Sequence, residues 1–184
     1  MKTLDFLARA LKNLKTIGTF FASSSAAARK MTEPVDFKNA RVIIELGGGT
    51  GAITKEILQR MHVDAKLYVF EIYTPFVEDI RKISDQRLEV IQDSAEHLEQ
   101  HLKDLGIEKV DAVISTLPLV IFKEDTRNII LDSAFHVLKP KGVFTQIQYS
   151  LMTIKEMKKK FKFLKINFTL FNIPPAFIYI VKKN

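Results

Sequence analysis

"VIIELGGGTGAITKEIL", residues 42–58, decides how the chain folds. A short β-branched run from Val42 to Leu46 gives way to four glycines in five positions, 47, 48, 49 and 51, and the text then takes on helical spacing. A strand, a bare turn and a helix in that order make the first unit of an open α/β sheet, at the edge where such sheets bind nucleotides. Glycine there removes Cβ atoms so that a ligand can touch the main chain, and it tolerates positive φ in a tight turn. One carboxylate, Glu45, stands two residues before the first glycine.

Downstream the alternation repeats. Runs at 41–46, 66–72, 87–92, 110–116 and 142–149 are rich in β-branched and aromatic residues and read as strands. Helical spacing covers Thr50 to Met61, Pro75 to Ile83, Ala95 to Leu105 and Glu124 to Leu138. The pattern predicts a doubly wound α/β fold, a parallel sheet with helices on both faces. After Ser150 the lysine-rich "KEMKKKFK" (155–162) precedes two β-rich runs, 163–171 and 176–183, with a turn at Asn172 to Pro175. These two runs are expected to form an antiparallel hairpin added at the sheet edge.

The first 40 residues read differently. Leu4, Leu7, Leu11 and Leu14 fall on one helical face, with Lys2, Arg9 and Lys12 opposite and Lys15 at the boundary. Such a basic amphipathic helix suits either the protein's own core or an anionic lipid interface. Ser25 then caps an expected short helix over Ala26 to Met31, which Pro34 ends.

At 184 residues the chain has room for one domain with a real core. Without cysteine it has no disulfide, thiolate nucleophile or Cys-based metal site, and its four histidines lack ligand spacing, so no metal is expected. The net charge of +7 is unevenly spread. Lys and Arg outnumber Asp and Glu eight to three in residues 1–41 and eight to one in residues 152–184, whereas residues 42–151 carry twelve against seventeen. Basic ends around an acidic middle point to an anionic partner, a membrane surface or nucleic acid. No run reaches the ~18 apolar residues of a spanning helix. The N-terminus lacks the apolar stretch of a secretory signal, so a cytoplasmic protein, peripheral on the inner face of the cell membrane, is expected.

Two further carboxylates join Glu45 at the ends of successive strands. Glu71 ends the second strand, about twenty residues beyond the glycines, where a carboxylate can accept hydrogen bonds from ribose hydroxyls. Asp93 follows the third in "VIQDSAEHL". Gly47, Gly49 and Ala52 formally satisfy a dinucleotide fingerprint. Glu45 argues against that ligand, because it would repel a pyrophosphate and attract the sulfonium and ammonium of S-adenosyl-L-methionine.

Glu45-Leu46-Gly47-Gly48-Gly49-Thr50-Gly51 resembles the E/D-x-G-x-G-x-G first motif of the class I S-adenosylmethionine-dependent methyltransferases. The resemblance covers about residues 40–184 and implies a Rossmann-like, seven-stranded sheet of order 3-2-1-4-5-7-6 with strand 7 antiparallel. It implies a domain at 41–184 behind an amphipathic helical extension at 1–40. By the same resemblance Glu71 binds the ribose, Asp93 binds the adenine amino group, and Ser94 and Ala95 flank the ring. Gly47, Gly49, Thr50 and Gly51 form the loop under the cofactor, Tyr73 covers the adenosine, and Ser115 reaches both cofactor and methyl acceptor.

The acceptor is read from "ISTLPL" (114–119), which ends the fourth strand. Base-methylating enzymes commonly place an aromatic residue after the proline to stack on a flipped base; here Leu119 stands there and offers no π face. "TFFASSSAAARKM" (19–31), "STLPL" (115–119) and "FNIPPAFIY" (171–179) look like stretches of the bacterial phospholipid N-methyltransferases, which methylate phosphatidylethanolamine stepwise. That resemblance implies a lipid-metabolic enzyme on an anionic membrane surface with Ser115 and Tyr149 beside the amine. Methylation of ribosomal RNA adenine or of a soluble small molecule remains an alternative. Direct methyl transfer is expected, without a covalent enzyme intermediate.

Overall fold

The computed structural model describes residues 25–161, 164–169 and 175–183. The expected helix at residues 2–15 and the turn at 172–174 lie outside them. Seven strands form one sheet: β1 (Val42–Leu46), β2 (Lys66–Phe70), β3 (Leu88–Ile91), β4 (Val110–Ser115), β5 (Leu138–Gln148), β6 (Leu164–Thr169) and β7 (Ala176–Lys182). Their order is β3-β2-β1-β4-β5-β7-β6, with β7 antiparallel to both neighbours and the first five strands parallel. Both the order and the reversed strand agree with expectation.

Among the described residues α1 (Ser25–Thr32) precedes the sheet, and α2 (Ala52–Arg60), α3 (Thr74–Arg81), α4 (Leu98–Asp104), α5 (Glu124–His136) and α6 (Ile154–Lys160) connect its strands. A 3₁₀ turn, Ala95–His97, leads into α4, and Ser94 caps it by accepting from the Glu96 N–H. Alternation along the strands sends side chains to two cores. Ile43, Ala112 and Ile114 meet Ile53 and Ile57 of α2 on one face, and Ile44, Val113 and Phe144 meet Leu98, Leu102 and Leu131 on the other. Helix α1 belongs to the first core: Ala27, Ala28 and Met31 are buried there, and the helix lies against α2.

β5 begins four residues earlier than its β-rich text suggested. Leu138 pairs with Val110 and Val143 with Ala112, so the chain between them bulges, with Lys141 at φ 66°. Asp111 braces this corner, accepting from Lys139 at 2.7 Å and from the Arg41 and Val42 amides at 2.8 and 2.9 Å. The sheet order reverses between β1 and β4. That reversal opens a crevice above the carboxyl ends of the strands, and the chain's glycine loop leads into it.

Candidate active site

The crevice holds a cavity of about 350 Å³, within the ~300–1,000 Å³ range of small-molecule sites. Strand ladders run one residue past the strands and fix its rim. Gly47 N–H donates to Phe70 O at 2.8 Å, Glu71 N–H to Ile91 O at 3.1 Å and Thr116 N–H to Leu46 O at 2.9 Å. Of the expected site residues, Gly47, Gly49, Thr50, Glu71, Asp93, Ser94, Ala95 and Tyr149 all line this cavity.

The glycines serve separate purposes. A Cβ on Gly48 would meet Ile80 Cδ1 at 2.5 Å and Val69 Cγ1 at 2.6 Å, so that residue is bare to let the loop sit on α3 and β2. A Cβ on Gly47 would meet Thr116 Oγ1 at 2.8 Å; the Thr116 hydroxyl donates to the Gly47 carbonyl and ties the loop to β4. Gly49, at φ 52°, meets nothing within 4 Å and faces the cavity. It is the glycine whose missing side chain leaves room for a ligand.

Glu71 is 6% exposed, and its two oxygens accept from the Gly49 and Tyr73 N–H groups, each at 2.9 Å. Burial raises its pKa, and those backbone bonds oppose the rise. Each oxygen keeps a lone-pair direction for another donor. Asp93 is held by two imidazoles, His97 Nδ1 at 3.0 Å and His101 Nε2 at 2.7 Å, and by the Ser94 N–H at 2.7 Å. Burial alone would raise the Asp93 carboxyl; the bonds from His101, His97 and Ser94 outweigh it and hold the group below the usual carboxylate range. No role for these histidines was expected, although positions 93, 97 and 101 recur at helical steps of four.

Four expected contacts are not on the cavity wall. Glu45 is fully buried between β1 and α2, where the Thr54 hydroxyl donates to Oε2 at 2.7 Å and Oε1 has no partner among the described residues. Burial pushes its carboxyl up to about 8, against the Thr54 bond and with help from the nearby Glu71 charge. Gly51, at φ 77°, turns the chain into α2. Ser115 is buried, its Oγ accepting from the Leu117 N–H at 3.4 Å, and the wall position beside the loop falls to Thr116. Tyr73 precedes α3 and leans its ring edge-on against Phe76 at 5.1 Å; Phe76 reaches the cavity in its place.

The other half of the wall, beyond the glycine loop, is formed by Pro118, Val120, Ile121 and Phe122 after β4 and by Gln148, Tyr149 and Ser150 at the end of β5. Among the described residues it contains no ionisable carboxylate or cation; Glu71, Asp93 and Glu96 all belong to the first half. Gln148, 2% exposed, was not anticipated; its Nε2 donates to Leu117 O at 3.4 Å. Among the described residues no three His, Asp or Glu side chains converge as metal ligands would.

A family profile described as a methyltransferase domain matches residues 43–142, from β1 into β5. Over 181 residues the chain is 32% identical to the ornithine lipid N-methyltransferase of Singulisphaera acidiphila, covering 96% of this chain and 94% of that protein. The chain belongs to the class I S-adenosylmethionine-dependent methyltransferases. S-adenosyl-L-methionine is accordingly the cofactor of this methyltransferase. It is also 36% identical over 119 residues to the ribosomal RNA small subunit methyltransferase A of Mycoplasma capricolum, a match spanning 62% of this chain and 42% of that protein. Its fold superposes with TM-score 0.73 on the 1,6-didemethyltoxoflavin-N1-methyltransferase of Burkholderia thailandensis, solved with S-adenosylhomocysteine, at 12% identity over 100% of this chain and 89% of that one.

Proposed function

We propose that this methyltransferase transfers the methyl group to the amine of a membrane lipid, phosphatidylethanolamine or the amine of an ornithine lipid. The observation that carries the reading is the uncharged, mainly apolar acceptor half of the cavity. The full-length similarity to a lipid N-methyltransferase supports it. The ribosomal RNA relatives support an RNA acceptor less, because the chain spans under half of the Mycoplasma protein.

When bound, the cofactor supplies an activated methyl on a sulfonium. Glu71 would hold the ribose hydroxyls with its free lone pairs, and Asp93, Ser94 and Ala95 would frame the adenine. Glu45 would act from beneath the loop as a buried carboxyl whose unpaired Oε1 suits a nearby cation. Thr116, fixed to Gly47, would keep the loop and the β4 end in register at the reacting centre.

The acceptor must arrive with a free lone pair. An ammonium ion entering the half walled by Val120, Ile121 and Phe122 would lose its hydration with no carboxylate to replace it. Such a wall favours the neutral amine, the form that attacks, and excludes the water that would compete for alignment. Tyr149 offers its ring to the methylated ammonium that forms, by a cation–π contact. The released proton has water or the lipid headgroup as acceptor.

The test is transfer of labelled methyl from S-adenosylmethionine to vesicles containing phosphatidylethanolamine, to vesicles containing ornithine lipid, and to unmodified ribosomal RNA. Label in either lipid fraction supports the reading and identifies the amine. Label in RNA alone refutes it.

A further inference from the structure

Resting on the lipid-amine reading, we infer that the mouth of the cavity is a membrane-docking surface for a bilayer containing anionic lipid, built from Val120 and Ile121 after β4 and Leu151 and Met152 after β5. Eight large apolar side chains are exposed among the described residues, and these four are half of them. They are not scattered. Val120 and Ile121, 40% and 37% exposed, line the cavity, and Leu151 and Met152, 42% and 81% exposed, directly follow the lining residues Tyr149 and Ser150.

Both loops are anchored, so their exposure is not slack. Leu119 is fully buried one residue before Val120, and Met157 of α6 is fully buried beneath the second loop. Arg127 joins the two, its Nη1 donating to Phe122 O at 3.1 Å and its Nε to Glu156 Oε2 at 2.8 Å. A clamp of this kind keeps two apolar tips side by side instead of letting them fold inward. Exposed apolar groups clustered at a site entrance mark a surface that becomes covered.

Charge selects the cover. Next along the chain from the tips, Lys123 and, in α6, Lys155, Lys158 and Lys159 are exposed, against the exposed acids Glu124 and Asp125, while Arg127 and Glu156 pair with each other. Apolar tips followed in the chain by an excess of exposed lysine match an anionic leaflet, in which the tips leave water and the ammonium groups remain at headgroup level. An RNA backbone would use the lysines and leave Leu151 and Met152 bare. Because Val120 and Ile121 line the cavity and Leu151 and Met152 directly follow its lining residues, a docked enzyme would receive its amine without that amine crossing bulk water.

The chain contains no tryptophan, so Met152→Trp supplies a single emission reporter in the full-length protein. Added vesicles of phosphatidylglycerol and phosphatidylethanolamine should shift its emission to the blue, and brominated acyl chains should quench it. Val63→Trp, in the exposed connection between α2 and β2 at the opposite end of the sheet, should change in neither respect. The pair Leu151→Asp with Met152→Asp should weaken vesicle binding at least about tenfold, with S-adenosylhomocysteine affinity retained. A Met152→Trp protein that sediments with vesicles but shows no shift, or that fails to bind vesicles, overturns the inference, as does a shift produced by ribosomal RNA and not by vesicles. None of these readouts involves methyl transfer, so an error in the acceptor assignment registers separately, in the labelled-methyl assay.

Discussion

Glu45 and Glu71 end adjacent parallel strands yet differ in what surrounds them. Glu71 has two backbone donors and faces the cavity, whereas Glu45 is held by Thr54 and, among the described residues, keeps a buried, unpartnered oxygen. A carboxyl raised to about 8 makes the folded state hold a proton that the unfolded chain releases near its ordinary value of 4.5. Its contribution is therefore fully present below about pH 4.5 and is lost as pH rises towards about 8, a change on the order of a few kcal/mol. Glu71 is shifted in the same direction, while Asp85, Asp93 and Asp111 are lowered and act only in acid. Cofactor-free protein should therefore lose denaturant stability between about pH 5 and about pH 8, and Glu45→Gln should flatten that slope. An unchanged slope in the variant would remove Glu45 as its source.

At Glu71 the expected effect is on affinity. Glu71→Ala should weaken S-adenosylhomocysteine binding by about 10- to 100-fold, the worth of one or two hydrogen bonds to a charged group. Calorimetric titration measures it, and full affinity in the variant would contradict the ribose assignment. Strand-end carboxylates were legible in the text because the main chain alone carries them to the edge. Side-chain direction just past a strand was not. β4 ends with Ser115 buried and Thr116, just past it, on the cavity wall, and the capping position of Tyr73 hands the wall to Phe76 one turn later.

Among the elements, the glycine loop separates stability from binding. Gly48→Ala drives a methyl into Ile80 and Val69 and should cost about 1–3 kcal/mol of stability through overpacking. Gly49→Ala has open space around it but a positive φ, so it should cost about 1 kcal/mol in stability and more in cofactor affinity, because its methyl projects into the cavity. Thermal unfolding and calorimetry together resolve the two; equal losses of both properties in both variants would erase the distinction. Helix α1 was legible as a helix from Ser25 and Pro34. That it contributes to the main core was not, since SAAARKMT has only one large apolar side chain, Met31, to announce it. Met31→Ala should lower stability by about 2–5 kcal/mol.

On the scale of the whole molecule, the charge split maps onto the fold. The acidic middle of the chain builds β1 to β5 and the cavity wall, and the basic C-terminal segment supplies α6, β6 and β7. Methylation of amines in anionic vesicles should fall as salt rises from about 0.05 to about 0.5 M. Methylation of a short-chain lipid amine dissolved below its micelle concentration should change little. Equal salt sensitivity for both substrates would place the charge effect in the cavity and not at a surface. The antiparallel pairing of the last two strands was readable from two β-rich runs with a short turn between them, whereas the full sheet order came from family resemblance. Their insertion beside β5 came from family resemblance, since local text does not say which edge a hairpin joins.

β7 sits between β5 and β6 although it follows every other strand in the chain. During synthesis, therefore, the edge of β5 from Val143 to Gln148 waits without a partner until residues 176–182 have left the ribosome tunnel. A nascent chain halted before residue 176 carries an open strand edge, the kind that recruits other chains. The sheet thus closes only once β7 has been made, and products stalled before it should be handled by chaperones and proteases as incomplete molecules, not as shortened enzymes.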